Sequence, residues 1–269
     1  MDDWKKKAED WWETSIIEMS PGVINYRGHP IQELIGNVSF PAMIWLMLRG
    51  ELPSDAQADL LGHALVAAVD HGPQAPSIAI ARMAATCGVG INNAMASAIN
   101  VLGDVHGGAG EQAVAFYQEI DAMVGGELSR DSVAAALEKR SAIDKYVPGF
   151  GHRFHPVDPR APRLLQLVEE AAAKGVVGGR FATIAQLIEA TLAERKGKVI
   201  PMNIDGATAV VYAELGFAPP LCRGLFVLSR SVGILAHTWE QMQQGGRNKG
   251  PLPRDATWTY SGNRASSAS

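Results

Sequence analysis

The sequence predicts an all-α fold, and three observations carry the prediction. Apolar residues recur at helical spacing through most of the 269 residues. The gaps between these runs hold helix punctuation: serine or proline where a run begins, glycine where it ends. Only residues 22–35 look extended.

Taken in order, the N-terminal segment reads as a helix with Trp4, Ala8, Trp11 and Trp12 towards one side. That side is expected to pack against the body or a second subunit. A membrane surface fits poorly, because Asp2, Asp3, Glu9, Asp10 and Glu13 oppose anionic lipid. Residues 22–35 place Val23, Ile24 and Tyr26 before a turn at Gly28-His29-Pro30, with Ile31 beyond it. Ser39 caps a helix carrying Ile44, Leu46 and Leu48 that stops at Gly50. Ser54 caps the next, with Leu60, Leu61, Leu65 and Val66 at helical spacing, ending near Gly72. Pro76 opens a third, closed at Gly88. Helical patterns then cover about 92–102, 110–124, 131–145, 161–174, 181–196, 207–215 and 220–244. From Asn248 the chain is polar and rich in small residues, and fraying is expected.

Composition narrows the function. A hydrophobic fraction of 47% with 19% charged residues describes a well-buried globule. Net charge is −4 and the basic residues are scattered, which points away from nucleic acid. The longest apolar run, residues 41–48, is too short to span a bilayer. The N-terminus has no signal-peptide core and too many acids for a transit peptide. Cys87 and Cys222 have no metal-type spacing and are expected to be buried free thiols, in keeping with a reducing cytoplasm.

Three polar clusters interrupt the helical pattern: Val105-His106-Gly-Gly, Pro148-Gly-Phe-Gly-His152-Arg153, and Pro201-Met-Asn-Ile-Asp205-Gly206. Each sets a proton-transfer side chain beside glycine or proline, where backbone can turn sharply against a ligand. His106 and His152 are 46 residues apart, and His152 and Asp205 are 53 apart, so the clusters can meet only through the fold. Two imidazoles and a carboxylate suggest acid–base chemistry on carbon. Each cluster also has a plainer reading. His152 fits an exposed turn, Asp205 a helix N-cap, and Asp70-His71-Gly72 a helix end. A metal site from His152, His155 and Asp158 is disfavoured, since Pro156 and Pro159 break any helical two-histidine face. His106-Gly-Gly-Ala is like an esterase oxyanion segment, but the chain lacks the Gly-x-Ser-x-Gly elbow that reading needs. No Gly-Lys-Ser/Thr follows the glycines, so a P-loop is out. Arg230 lies in a strongly apolar helix, where a guanidinium requires an anionic partner, from protein or substrate.

Together these motifs resemble the citrate synthase superfamily, from about residue 22 to 244. Gly22-Val-Ile-Asn-Tyr-Arg-Gly-His-Pro-Ile-Gln-Glu-Leu34 is similar to that family's early hairpin, and the three clusters follow in family order and near family spacing. The resemblance implies a shortened large domain, residues 1–106 with 206–269, and a small helical CoA-binding domain, residues 107–205. It implies a homodimer or higher homo-oligomer with composite active sites, a CoA thioester as substrate, and no metal or further cofactor. Asp205 would move the proton at the acetyl-CoA methyl carbon, His106 would stabilise the enol, and His152 would exchange a proton with the dicarboxylate's oxygen. His71, Arg160 and Arg230 match the family's ligands for oxaloacetate or citrate. Val147, Pro148, Gly149, Phe150 and Gly151 match the loop lying against CoA.

Three departures refine this expectation. Only about twenty residues separate Glu51-Leu-Pro53 from His71, where full synthases insert several helices. Asp70-His-Gly-Pro73 and Asn203-Ile-Asp-Gly206 look more like the citryl-CoA lyase module of ATP-citrate lyase and its free-standing relatives, although His106 is synthase-like. The arginine that the family reaches across the dimer falls at Gly250, with Arg247, Lys249 or Arg254 as substitutes. The expected activity is therefore cleavage of citryl-CoA, or a related 3-hydroxy-3-carboxyacyl-CoA, to acetyl-CoA and oxaloacetate. The alternatives are a short citrate or 2-methylcitrate synthase and an inactive CoA-binding regulatory homologue.

Overall fold

The structure, a computed structural model, describes residues 2–143, 146–151, 156–253 and 255–263. Among them are twelve helices and three short strands, in line with the all-α expectation. No helix among the described residues is long and apolar enough to cross a membrane.

The strands β1 (Ile17–Ser20), β2 (Val23–Tyr26) and β3 (His29–Pro30) form an antiparallel meander. It begins five residues earlier than the sequence suggests. Pro21-Gly22 makes the first turn, with Gly22 at φ 79°, and Ser20 pairs with Val23. Arg27 and Gly28 make the second, both at positive φ (51° and 82°), with Tyr26 paired to His29. A left-handed arginine costs on the order of 1 kcal/mol. Its guanidinium offsets this by donating to the Met47 carbonyl (2.9 and 3.1 Å) and to Ser15 Oγ (2.8 Å). Ile31, expected to stay extended, instead opens the single turn α2 (Ile31–Leu34).

Helix α1 (Asp2–Trp11) does not find the body of the chain: Trp4, Trp11 and the following Trp12 are 68%, 81% and 80% exposed. Helix α3 (Phe40–Arg49) starts where Ser39 Oγ accepts from the Ala42 N–H and ends at left-handed Gly50. Helix α4 (Asp55–Ala67) opens with a reciprocal Ser54–Gln57 capping box, and stops at Ala67, short of Gly72. Then come α5 (Pro76–Thr86), α6 (Ile91–Ile99), α7 (Ala109–Val124), α8 (Arg130–Ile143), α9 (Arg160–Ala173), α10 (Arg180–Lys196), α11 (Ile204–Glu214) and α12 (Pro219–Gln243).

Internal contacts group the chain into two compact units, Met1–Val69 with Gly107–Ser229, and Asp70–His106 with Arg230–Ser269. These boundaries differ from 1–106 with 206–269 against 107–205.

The first unit is built around α11. Every α11 residue is buried except the half-buried carboxylates Asp205 and Glu214 near its two ends. A helix apolar on all sides belongs at the centre of a core, and α11 packs on α4, α7, α9 and α10. Glu214 accepts from the N–H groups of Gly179 (2.8 Å), Phe181 (2.6 Å) and Ala182 (3.1 Å), satisfying the open first turn of α10. In the second unit α5 and α6 pack through small side chains, Ala75, Ala81 and Ala98, around Ile78 and Ile234. The start of the polar tail is not frayed: Asn248 N–H donates to the Thr86 carbonyl and Lys249 N–H to Thr86 Oγ1.

Candidate active site

Two of the three polar clusters are stitched together in the first unit. Gly151 N–H donates to the Pro201 carbonyl (2.8 Å), Asn203 N–H to the Gly149 carbonyl (3.0 Å), and Phe150 bridges to Met202. Gly149 (φ 86°) lies against Gly206 so closely that a Cβ on Gly149 would sit 2.7 Å from Gly206 Cα. Only glycine fits either position. Asn203 joins the two loops: its Nδ2 donates to the Gly151 carbonyl (2.8 Å), while Oδ1 accepts from Asp205 N–H (3.0 Å) and Gly206 N–H (3.1 Å). Asn203 is therefore the N-cap of α11, and Asp205 stands two residues inside it. The plainer reading of Asp205 as the cap is thereby corrected.

Tyr117 braces the same junction. Its hydroxyl donates to the Gly206 carbonyl (3.3 Å), and its ring meets Phe150 edge-on at 6.4 Å. Burial, with the Glu189 charge adding to it, pushes its phenol far above the usual range, so it stays a neutral donor. Glu189 in turn accepts from Met202 N–H (3.2 Å). Val147, Pro148, Gly149, Phe150 and Gly151 thus form a fixed loop against the start of the helix carrying Asp205.

Arg160 opens α9 and is held by Asp158, which is 1% exposed. The contact is bidentate, Nε to Oδ1 at 2.9 Å and Nη2 to Oδ2 at 2.8 Å, and Asp158 Oδ1 also accepts the Arg160 N–H. Nη1 reaches the Ala67 carbonyl at 3.4 Å. Asp158 thus orients the Arg160 guanidinium. Among the described residues no group of three or more His, Cys, Asp or Glu could hold a metal ion. His152, Arg153 and His155 lie outside the described residues, as does Arg254.

In the second unit, His106 is half-buried and its Nε2 faces the N-terminus of α5. Ser77 N–H donates to Nε2 at 3.1 Å, and Ser77 Oγ lies 3.0 Å away. A backbone amide can only donate, so Nε2 is unprotonated and the ring's proton is on Nδ1. Burial, and then the Arg230 charge, lower the His106 pKa below its ordinary 6.5, and the helix N-terminus favours the same neutral state. A neutral imidazole with a fixed Nδ1–H is suited to donate to a developing oxyanion. Arg230 is 5% exposed on α12. His71 is exposed, in the turn between α4 and α5. Of the sequence-derived residues, the structure thus couples the 147–151 loop to Asp205 in one unit and His106 to Arg230 in the other.

Sequence reasoning does not single out Tyr117 or Ser77, and it names Asn203 and Asp158 without these roles. Asn203 alone has a local signal, an Asx residue two before Asp205 and three before Gly206. The thiols differ from expectation: Cys222 is buried, but Cys87 is exposed, at the end of α5 where the chain leaves the helix.

The chain matches the family "Citrate synthase, C-terminal domain" over residues 7–63 and 54–252. It is similar to citryl-CoA lyase from Hydrogenobacter thermophilus, with a TM-score of 0.82 and 32% identity, covering 94% of this chain and 96% of that one. The structure of citrate synthase from Thermoplasma acidophilum, in a ternary complex with carboxymethyl coenzyme A and oxaloacetate, has a TM-score of 0.68 and 25% identity, covering 86% and 59%. Among sequences, citrate synthase from Acidithiobacillus ferridurans is 30% identical over 210 residues, 77% of this chain and 52% of the relative. The chain spans about half the length of the curated relatives it matches. Family profile and fold agree: the chain belongs to the citrate synthase family.

Proposed function

We propose that the protein is a citryl-CoA lyase-like enzyme, cleaving (3S)-citryl-CoA or a related 3-hydroxy-3-carboxyacyl-CoA to acetyl-CoA and oxaloacetate. The observation that carries this reading is the likeness, over 94% of the chain at 32% identity, to citryl-CoA lyase from Hydrogenobacter thermophilus.

His152 accepts the hydroxyl proton of the substrate as the carbon–carbon bond breaks. The bonding pair passes to the thioester half as an enolate, His106 Nδ1–H stabilises its oxygen towards the enol, and protonated Asp205 delivers its proton to the carbon. His71, Arg160 and Arg230 bind the carboxylates and carbonyl of the oxaloacetate half; Arg160 comes already aligned by Asp158. The 147–151 loop lies against CoA, and residues 107–205 close as the small domain over the substrates. The protein works as a homodimer, with Arg247, Lys249 or Arg254 supplying the charge that the family places at the Gly250 position. The tie of Asn248 and Lys249 to Thr86 is consistent with that role.

A second reading is the condensing direction with thioester hydrolysis, a citrate synthase. The 30% identity to citrate synthase from Acidithiobacillus ferridurans favours it, and the same residues serve in reverse. Two incubations test the proposal. With citryl-CoA, loss of substrate with formation of oxaloacetate and acetyl-CoA, and no free thiol, is the expected result. Thiol release from oxaloacetate plus acetyl-CoA supports the synthase instead. No turnover in either, with CoA still bound, would leave an inactive CoA-binding homologue and overturn the proposal.

A further inference from the structure

A second group of polar side chains lies beside His71 in the second unit, and the proposed reaction uses none of its members. His237, on α12, sits between two partners. Its Nδ1 is 3.1 Å from Arg82 Nη1, and its Nε2 is 3.2 Å from Asp70 Oδ1. A guanidinium carries donors only, so Nδ1 must accept and the ring's proton is on Nε2, facing the carboxylate. Asp70 Oδ1 is buried, with no aligned hydrogen-bond donor among the described residues, and the imidazole Nε2 is the side-chain group that faces it.

Arg82 is itself fixed, by Glu240 through Nη1 and by Gln244 Oε1 through Nη2 at 2.9 Å. The other Asp70 oxygen, Oδ2, accepts from Gly72 N–H at 3.1 Å and closes a turn around His71. Gly72 is left-handed (φ 81°), and its carbonyl accepts from Ala75 N–H at 3.1 Å, leading into α5. Burial works to raise the Asp70 pKa, but the Gly72 N–H and His237 outweigh it and hold the carboxyl below its usual range. His237 lies seven residues after Arg230 on α12, two turns along the same face.

We propose that His237 is a positioning residue: held by Arg82, it clamps Asp70 so that the turn carrying His71 is kept in register with Arg230 for the substrate's carboxylate. This rests on the reading of His71 and Arg230 as ligands of the oxaloacetate half. It adds to that reading Asp70, Arg82 and His237, none of which touches substrate. The clamp acts on binding of the acid and leaves the CoA end alone.

The test uses the full-length protein and two substitutions. His237→Ala removes both contacts, while His237→Gln keeps a donor for Asp70 and an acceptor for Arg82. Oxaloacetate and CoA binding are measured separately by calorimetry, and amide exchange is followed at Gly72 and, for comparison, at Lys249. With His237→Ala, oxaloacetate Kd is expected to rise about tenfold and Gly72 exchange to speed up by about the same factor. CoA Kd and Lys249 exchange stay within twofold, and His237→Gln restores most of the loss. Unchanged Gly72 exchange, loss of protection at Lys249 as well, or equal weakening of CoA would each overturn the clamp. If the parent protein binds oxaloacetate yet turns over neither substrate mixture, the proposed reaction fails while the clamp is still decided by binding. If it does not bind oxaloacetate, the ligand reading and the clamp both fall.

Discussion

Gly206→Ala measures how tightly the Asp205 helix is locked to the 147–151 loop. Gly206 is in the first turn of α11, and glycine-to-alanine in a helix ordinarily stabilises by about 1 kcal/mol. Here an added Cβ would lie 2.4 Å from the Gly149 carbonyl oxygen and 2.7 Å from Met202 Cγ. The oxygen is backbone and already accepts from Asn203 N–H, so relief requires the loop to move. Overpacking costs about 1–3 kcal/mol. Weakening the Asn203–Gly149 and Tyr117–Gly206 hydrogen bonds adds about 1 kcal/mol each. Against the helical gain, net destabilisation is about 2–4 kcal/mol. Gly110→Ala is the control: it lies in α7 with nothing within 4 Å of an added Cβ, and should stabilise by about 0.5–1 kcal/mol. Urea unfolding of the three proteins reads both values from the shift in midpoint. A neutral or stabilising Gly206→Ala would refute the close contact.

Three further outcomes follow from other parts of the structure. Under native conditions a thiol reagent should modify Cys87 alone; Cys222, its pKa pushed up to about 12 mainly by burial, should react only on unfolding, and native reaction at both would contradict its placement. His106 should titrate below 6.5 by NMR, and Arg230→Gln should raise its pKa while burial still holds it down. Because the folded pKa is depressed, the His106 contribution to stability is complete above pH 6.5 and is lost as pH falls from there through the folded value. Glu214→Ala strips three N–H groups at the start of α10 of their acceptor and should cost about 2–3 kcal/mol, with Glu214→Gln costing less; equal loss in both variants would mean the charge, not the hydrogen bonds, matters.

The helices were legible because their apolar spacing and caps agree, as at Ser39–Gly50 and the Ser54–Gln57 box. Strand β1 was not, since all four of its residues are exposed and its order comes from backbone pairing with β2. Ile31–Leu34 read as extended because a single turn is too short to show a period. For the candidate site, the sequence exposed the residues set beside glycines, but not those holding them. Ser77 meets His106 across 29 residues from an ordinary helix start, and Tyr117 reaches Gly206 across 89. Neither carries a local mark. Cys87 misled because cysteine is buried by habit, whereas this one closes a helix at the surface.

Cleavage of (3S)-citryl-CoA in D₂O tests the central claim most directly. If Asp205 protonates the enol carbon, mass spectrometry should find acetyl-CoA with one deuterium in its methyl group. Asp205→Asn should then lose at least about a hundredfold in rate while binding CoA as before. Acetyl-CoA without deuterium, or an Asp205→Asn protein that still turns over at the parent rate, would contradict the account.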